Sequence, residues 1–199
     1  MKHLLTYQQL FEDATQVESM PTEKTVISGG KILFCKNKTA PLLIVYGGIR
    51  VGGRPSGDYM WDYVDKLKNK YHIFVASSHQ VDGESTYKNV LTQLEKYGIK
   101  PSSKVLYLFS GGYRPGRSLL KNRASDFSKV LLVDIWMGNS EVSSFYQEFT
   151  KNNSSKVKYY YTDFGADNKI ARDAIAKSAG EAKKKTGHME TNVPAVAGL

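Results

Sequence analysis

Lys104-Val105-Leu106-Tyr107-Leu108-Phe109-Ser110-Gly111-Gly112 is the stretch on which the reading of this chain turns. Its apolar run has strand length and does not alternate, the mark of a strand covered on both faces. It stops abruptly at a serine and two glycines, residues suited to a tight turn. The same form recurs on either side. Leu42–Tyr46 runs into Gly47-Gly48, His72–Ala76 into Ser77-Ser78-His79, Val130–Ile135 into Trp136-Met137-Gly138, and Val157–Thr162 into Asp163. The segments between carry apolar residues at helical spacing: Met60, Tyr63, Val64 and Leu67; Tyr87, Val90, Leu91 and Leu94; Val142, Phe145, Tyr146 and Phe149. A further helix is expected from about Asn168 to Lys185. Strands that alternate with helices in this way predict an α/β architecture of three layers, a mostly parallel sheet with helices on both faces.

Two features precede this pattern. Tyr7, Leu10, Phe11 and Ala14 fall at i, i+3, i+4 and i+7 behind a Thr6–Gln9 capping box, so residues 1–20 read as a helical extension. Val26–Ser28 and Lys31–Cys35 then read as a hairpin turning at Gly29-Gly30. No low-complexity linker divides the 199 residues, and a chain of this length is expected to form a single domain around one core.

Composition narrows the classes. With 41% hydrophobic and 24% charged residues and no apolar run of membrane-spanning length, a soluble protein is expected. The N-terminus turns polar at Thr6, too early for a signal peptide, and a cytoplasmic location follows as the expectation. Cys35 is alone and sits in an apolar run, which makes it a core residue. His3, His72, His79 and His188 have no zinc-hydrolase spacing, so neither a metal nor another cofactor is expected. The net charge of +9 favours anionic partners, but the lysines are scattered and no nucleic-acid-binding signature accompanies them. Nothing in the sequence fixes an oligomeric state.

In an open parallel sheet, ligands bind beyond the carboxyl ends of the strands. Those ends carry Ser110, His79, Asp163 and the glycine pairs, and Asp167 and His188 come later in the chain. Here the chain resembles the α/β-hydrolase superfamily, with the order Ser110, Asp167, His188 matching its serine, acid and histidine. The resemblance covers about residues 26–192. It implies a compact hydrolase-like fold and a serine hydrolase of esterase type, cleaving an ester, thioester or amide. Ser110 would be the nucleophile, His188 the general base, Asp167 the acid that orients it, and Gly48 and Gly111 the oxyanion donors. Asp163 and Asp134 are rival acids, and His79 is the rival base. Of the family's glycines flanking the serine, Gly112 is kept but Leu108 stands at the other position. Pro115-Gly116 requires that the following helix start late or that the serine turn be wide. A final strand before His188 is not evident.

Both glycine loops carry arginines, Arg50 and Arg54 after the first and Arg114 and Arg117 after the second. Arg50 and Arg114 are expected to bias a small-molecule or acyl substrate toward acidic ones. The same features support a second reading, a non-catalytic domain that holds a phosphate- or carboxylate-bearing ligand or an acidic partner.

Overall fold

The computed structural model describes residues 18–49, 51–137, 139–163 and 169–199. The helix expected over residues 6–14 lies outside the described residues. Eight strands are formed: β1 (Thr25–Ile27), β2 (Gly30–Leu33), β3 (Leu42–Tyr46), β4 (His72–Ala76), β5 (Lys104–Phe109), β6 (Lys129–Val133), β7 (Val157–Tyr161) and β8 (Glu181–Lys184). They join one sheet in the order β1-β2-β4-β3-β5-β6-β7-β8. The β1–β2 and β2–β4 pairs are antiparallel, and every pair from β4 through β3 to β8 is parallel.

Alternate residues of each central strand go to opposite faces. Ile44, Leu106, Leu108 and Leu132 pack with α3 (Gly83–Lys96), α4 (Tyr113–Arg123), α5 (Ser140–Asn152) and α6 (Lys169–Ser178), through residues such as Tyr87, Leu119, Tyr146 and Ile175. Leu43, Val45, Val105 and Tyr107 pack with α1 (Ser56–Tyr59), α2 (Trp61–Val64) and α7 (Asn192–Ala197), through residues such as Tyr59, Val64 and Val196. The predicted three layers are therefore present. Two helix starts are capped by side chains, with Asp82 accepting from Ser85 N at 2.6 Å and Asn139 accepting from Glu141 N at 2.8 Å.

The structure departs from expectation at several edges. Between Ser178 and His188 the chain is not one helix to Lys185: α6 stops at Ser178 and Glu181–Lys184 forms β8, parallel to β7. This strand, Glu-Ala-Lys-Lys, lies at the sheet edge with only Glu181 partly buried, so it has no hydrophobic pattern to betray it. Lys158 and Lys183 each pair with Glu181 at 2.7 Å and hold its carboxyl down at about 2. The hairpin turns at Ser28-Gly29, and Gly30 already belongs to β2. A Cβ on Gly30 would stand 2.2 Å from the carbonyl oxygen of Val75, so this glycine permits strand contact rather than a turn. The helix predicted through Met60 and Leu67 is broken into α1, α2 and a short 3-10 turn at Asp65–Leu67. Cys35 is buried, as its surroundings predict.

His72 is fully buried at the start of β4, where its Nδ1 accepts a hydrogen bond from Cys35 N at 3.1 Å. Burial pushes its pKa below the ordinary 6.5 and keeps the ring neutral. The unfolded chain takes up this proton at a higher pH than the folded one. Stability is therefore expected to fall as the pH drops through about 6.5 toward the lower folded value. Urea unfolding at pH 7.5, 6.5 and 5.5 should show this fall, and His72→Gln should flatten it.

Candidate active site

Strand register brings the site together. Tyr46 pairs with Leu108, and Phe109 pairs with Val133. The next residues of three adjacent strands therefore come abreast: Gly47-Gly48 after β3, Ser110 after β5 and Asp134 after β6. Val45 pairs with Val75, which brings Ser77, Ser78 and His79 to the same edge. The chain runs outward from β3 to β4 and returns past it to β5, so Gly48 and Ser110 lie where the strand order reverses, the usual ligand crevice of such sheets.

Ser110 has φ +51° and Asp134 φ +42°, the two non-glycine residues with positive φ among those described. Left-handed backbone costs a side-chain-bearing residue free energy and is held only when its surroundings demand it. At Ser110 the demand comes from a strand that passes at once into a 3-10 turn (Ser110–Gly112) and then α4. The turn packs tightly against β3: a Cβ on Gly112 would lie 2.1 Å from the carbonyl oxygen of Tyr46. Pro115 falls in the first turn of α4, where its missing N–H has no acceptor to lose. The glycine absent at Leu108 has a counterpart on the helix. A Cβ on Gly116 would stand 2.4 Å from Leu108 Cδ1, so Gly116 makes the room that a small residue on the strand would otherwise provide.

Asp134 is buried and its carboxylate is held from two sides. Thr162 donates to it from its backbone N at 2.9 Å and from its hydroxyl at 2.7 Å. Arg172, itself buried, donates to the carbonyl oxygen of Thr162 and steadies the anchor. The remaining contact is to His188, whose Nδ1 lies 2.5 Å from Asp134 Oδ2. The His188 ring also stacks on Phe109, the residue before the serine, with ring centroids 4.7 Å apart. β8 delivers the histidine: Lys185 N donates to Tyr161 O at 2.7 Å, extending the pairing toward the bend that carries His188. Beyond it, α7 is pinned to β5 by the Tyr107 hydroxyl donating to Asn192 Oδ1 at 2.6 Å.

Gly48 touches the serine. A Cβ there would lie 2.7 Å from Ser110 Cβ and 3.3 Å from Gly111 N. Its own N–H is committed elsewhere, donating at 2.9 Å to the hydroxyl of buried Tyr59. Burial pushes that phenol up to about 12 and keeps it protonated. Gly111 N–H opens the helical turn and has no acceptor within it.

A cavity of about 180 Å³ beside Ser110 is lined by Ile49, His79, Gly111, Tyr113, Arg114 and Trp136. Arg114 donates from Nε to the Tyr113 hydroxyl at 2.9 Å. Burial, and then the positive Arg114, push His79 below its ordinary pKa.

Of the residues singled out from sequence, Ser110, Gly48, Gly111, His79 and Arg114 share this edge, and His188 reaches it through Asp134. Asp163 is exposed and pairs with Lys184 at 2.6 Å. Arg54 is paired with Asp62 at 2.8 Å, and Arg117 is paired with Glu141. Asp167 and Arg50 lie outside the described residues. Tyr59 was not singled out, because its role rests on a tertiary hydrogen bond that leaves no mark in the sequence. Among the described residues, no three His, Cys, Asp or Glu side chains converge as a metal would need. No helix among them is long and apolar enough to cross a membrane.

The strand order, the elbow at Ser110 and the helices on both faces define the α/β-hydrolase fold, and comparison with solved structures agrees. The chain is similar to a highly thermostable carboxyl esterase from Bacillus coagulans (TM-score 0.57, 8% identity, 90% of this chain and 98% of that one). It is also similar to a ferulic acid esterase (0.56, 14%, 83% and 90%) and to Est1E from Butyrivibrio proteoclasticus (0.52, 16%, 83% and 90%). At these identities the likeness is one of fold. No protein-family model and no curated protein matches the chain.

Two substitutions test the packing of the site. Gly112→Ala should destabilise the protein by about 3 kcal/mol, since backbone must move to admit the methyl group. Tyr59→Phe should cost about 1–2 kcal/mol by leaving the Gly48 N–H without its buried acceptor. Urea unfolding measures both.

Proposed function

We propose that this protein is a serine hydrolase that cleaves a small ester, thioester or amide through an acyl-enzyme formed on Ser110. The observation that carries this reading is the 2.5 Å contact between His188 Nδ1 and the buried, doubly anchored carboxylate of Asp134, with the imidazole stacked beside the serine turn. A carboxylate on Nδ1 fixes the ring's orientation and tautomer and leaves Nε2 to accept a proton. His79 lines the cavity but makes no contact with a carboxylate among the described residues, so His188 is the better base.

In the proposed reaction Ser110 Oγ attacks the substrate's carbonyl carbon while its proton passes to His188 Nε2. The tetrahedral oxyanion is met by the Gly111 N–H and by one further amide. Gly48 N–H is occupied by Tyr59, so we assign the second donor to Ile49, whose N–H has no acceptor among the described residues and which lines the cavity with Ser110. Tyr59 then serves to hold the Gly48 peptide so that the next amide is presented. The protonated His188 gives its proton to the leaving group, the C–O, C–S or C–N bond breaks, and water repeats the cycle to release the acid. No step needs a cofactor. Arg114, with no ion pair among the described residues, lines the same cavity and donates to the Tyr113 hydroxyl.

The binding-domain reading draws its strength from four arginines at the two glycine loops. Arg54 and Arg117 are spent on Asp62 and Glu141, which leaves little of that cluster for a ligand.

Labelling with a fluorophosphonate should modify the native protein once, and Ser110→Ala should abolish both labelling and hydrolysis of p-nitrophenyl acetate. Asp134→Asn should lower kcat by about 10³ to 10⁴-fold, as the wrong histidine tautomer is then favoured. Asp167→Asn should leave kcat near the parent value. A loss that follows Asp167 instead would return the orienting role to that residue, and an unlabelled native protein would remove the enzyme reading altogether.

A further inference from the structure

The 180 Å³ cavity beside Ser110 is one end of a longer trough. It shares Ile49 and His79 with a second cavity of about 380 Å³, lined also by Gly48, Ser56, Ser78 and Gln80. That cavity in turn shares Pro55 and Ser77 with a third of about 280 Å³, between the β1–β2 hairpin and α1, where Val26, Ile27, Lys31 and Asp58 form part of the lining. The first cavity alone is smaller than the sites that usually enclose a drug-sized ligand, whereas the three together fall within that range. Ser110 therefore stands near one end of the trough, with a short arm toward Trp136 and a long arm toward the hairpin.

The chemistry of the long arm is specific. Its polar groups are neutral: the hydroxyls of Ser56, Ser77 and Ser78 and the amide of Gln80. Ser56 is 2% exposed, and its buried hydroxyl has no hydrogen-bond partner among the described residues. The one pair of charges, Lys31 with Asp58 at 3.3 Å, neutralises itself. Apolar side chains are spaced among these groups. Val26 and Ile49 are 74% and 63% exposed, and Trp136 is 43% exposed at the far end of the short arm. Three of the six large apolar side chains exposed among the described residues thus lie along the trough.

This lining excludes several occupants. A nucleic acid needs cations for its phosphates, and the long arm has only Lys31, already paired. A fatty chain would desolvate the serines and Gln80 without compensating hydrogen bonds. What fits is a chain with apolar faces and many uncharged hydroxyls, which is the surface of linked sugar rings.

We infer that the substrate is an O-acylated oligosaccharide, with the small acyl group in the short arm by Trp136 and Tyr113 and successive sugar units along the long arm toward Val26. This rests on the serine-hydrolase reading and extends it to a substrate class. The reaction is hydrolysis of the ester bond: water supplies OH to the acyl carbon and H to the sugar oxygen, yielding a carboxylic acid and the free hydroxyl.

The test measures acetate release from singly O-acetylated cello-oligosaccharides of one to four units, with p-nitrophenyl acetate as a substrate that reaches only the short arm. We expect kcat/KM to rise at least about tenfold from monomer to tetramer, equivalent to about 1.4 kcal/mol of added binding. Val26→Trp, which narrows the far cavity, should bring the tetramer-to-monomer ratio down toward unity. A ratio near unity in the parent protein, or a larger gain from lengthening the acyl chain of p-nitrophenyl esters, would overturn the inference. Survival of p-nitrophenyl acetate hydrolysis in Ser110→Ala would instead overturn the serine-hydrolase reading, so the two failures are distinguishable.

Discussion

The parallel register of β3, β5 and β6 is the constraint from which the rest of the site follows. These strands are buried on both faces, and their side chains alternate between two different helical layers. A slip of one residue would send Leu106 and Leu108 into the layer that now receives Val105 and Tyr107. Core packing therefore holds the register, and the register in turn decides which residues stand side by side at the strand ends. Gly48, Ser110 and Asp134 meet because Tyr46 faces Leu108 and Phe109 faces Val133. Chemistry at the edge is a by-product of order in the interior.

A second constraint is steric. The turn and helix after Ser110 pack so closely on the sheet that Gly112 admits no side chain against Tyr46 of β3 and Gly116 none against Leu108 of β5. Leu108 fills space that a strand glycine would leave empty, and Gly116 yields it from the helix side. The positive φ of Ser110 is the visible sign of this tight reversal.

Most of the sheet was legible in the sequence, because buried parallel strands are continuous apolar runs and their helices have clear spacing. The hydrophobic signal failed where burial fails. Glu181–Lys184 is a strand because Lys158 to Tyr161 pair with it, and its own side chains are almost all exposed, so no pattern announces it. The candidate site was legible in part for a related reason. Ser110, Gly48 and Gly111 sit at strand ends, which a one-dimensional reading can locate. A partner of His188 is not found that way: chain order favours Asp167, which lies outside the described residues, whereas among the described residues the carboxylate on His188 Nδ1 is Asp134, 54 positions away, whose approach depends on where β8 releases the chain. Tyr59 is legible only as a core aromatic, since its hydrogen bond to Gly48 spans a turn and a broken helix.

The placement of His188 just beyond β8 carries a consequence for how the molecule ages and wears. β8 is short, polar, bound on one side only, and tied down by exposed ion pairs of the kind that contribute little in salt solution. Edge elements of this sort open by local fraying at free energies well below that of global unfolding. The imidazole thus has one tether in the least cooperative part of the sheet and the other in α7, whose Asn192 is held by Tyr107 of β5, while Ser110 and Asp134 hang from the most buried part. Detachment of the edge would release only the first tether with the core still folded. Grip on the histidine is shared between one strand that frays and one helix anchored in the core.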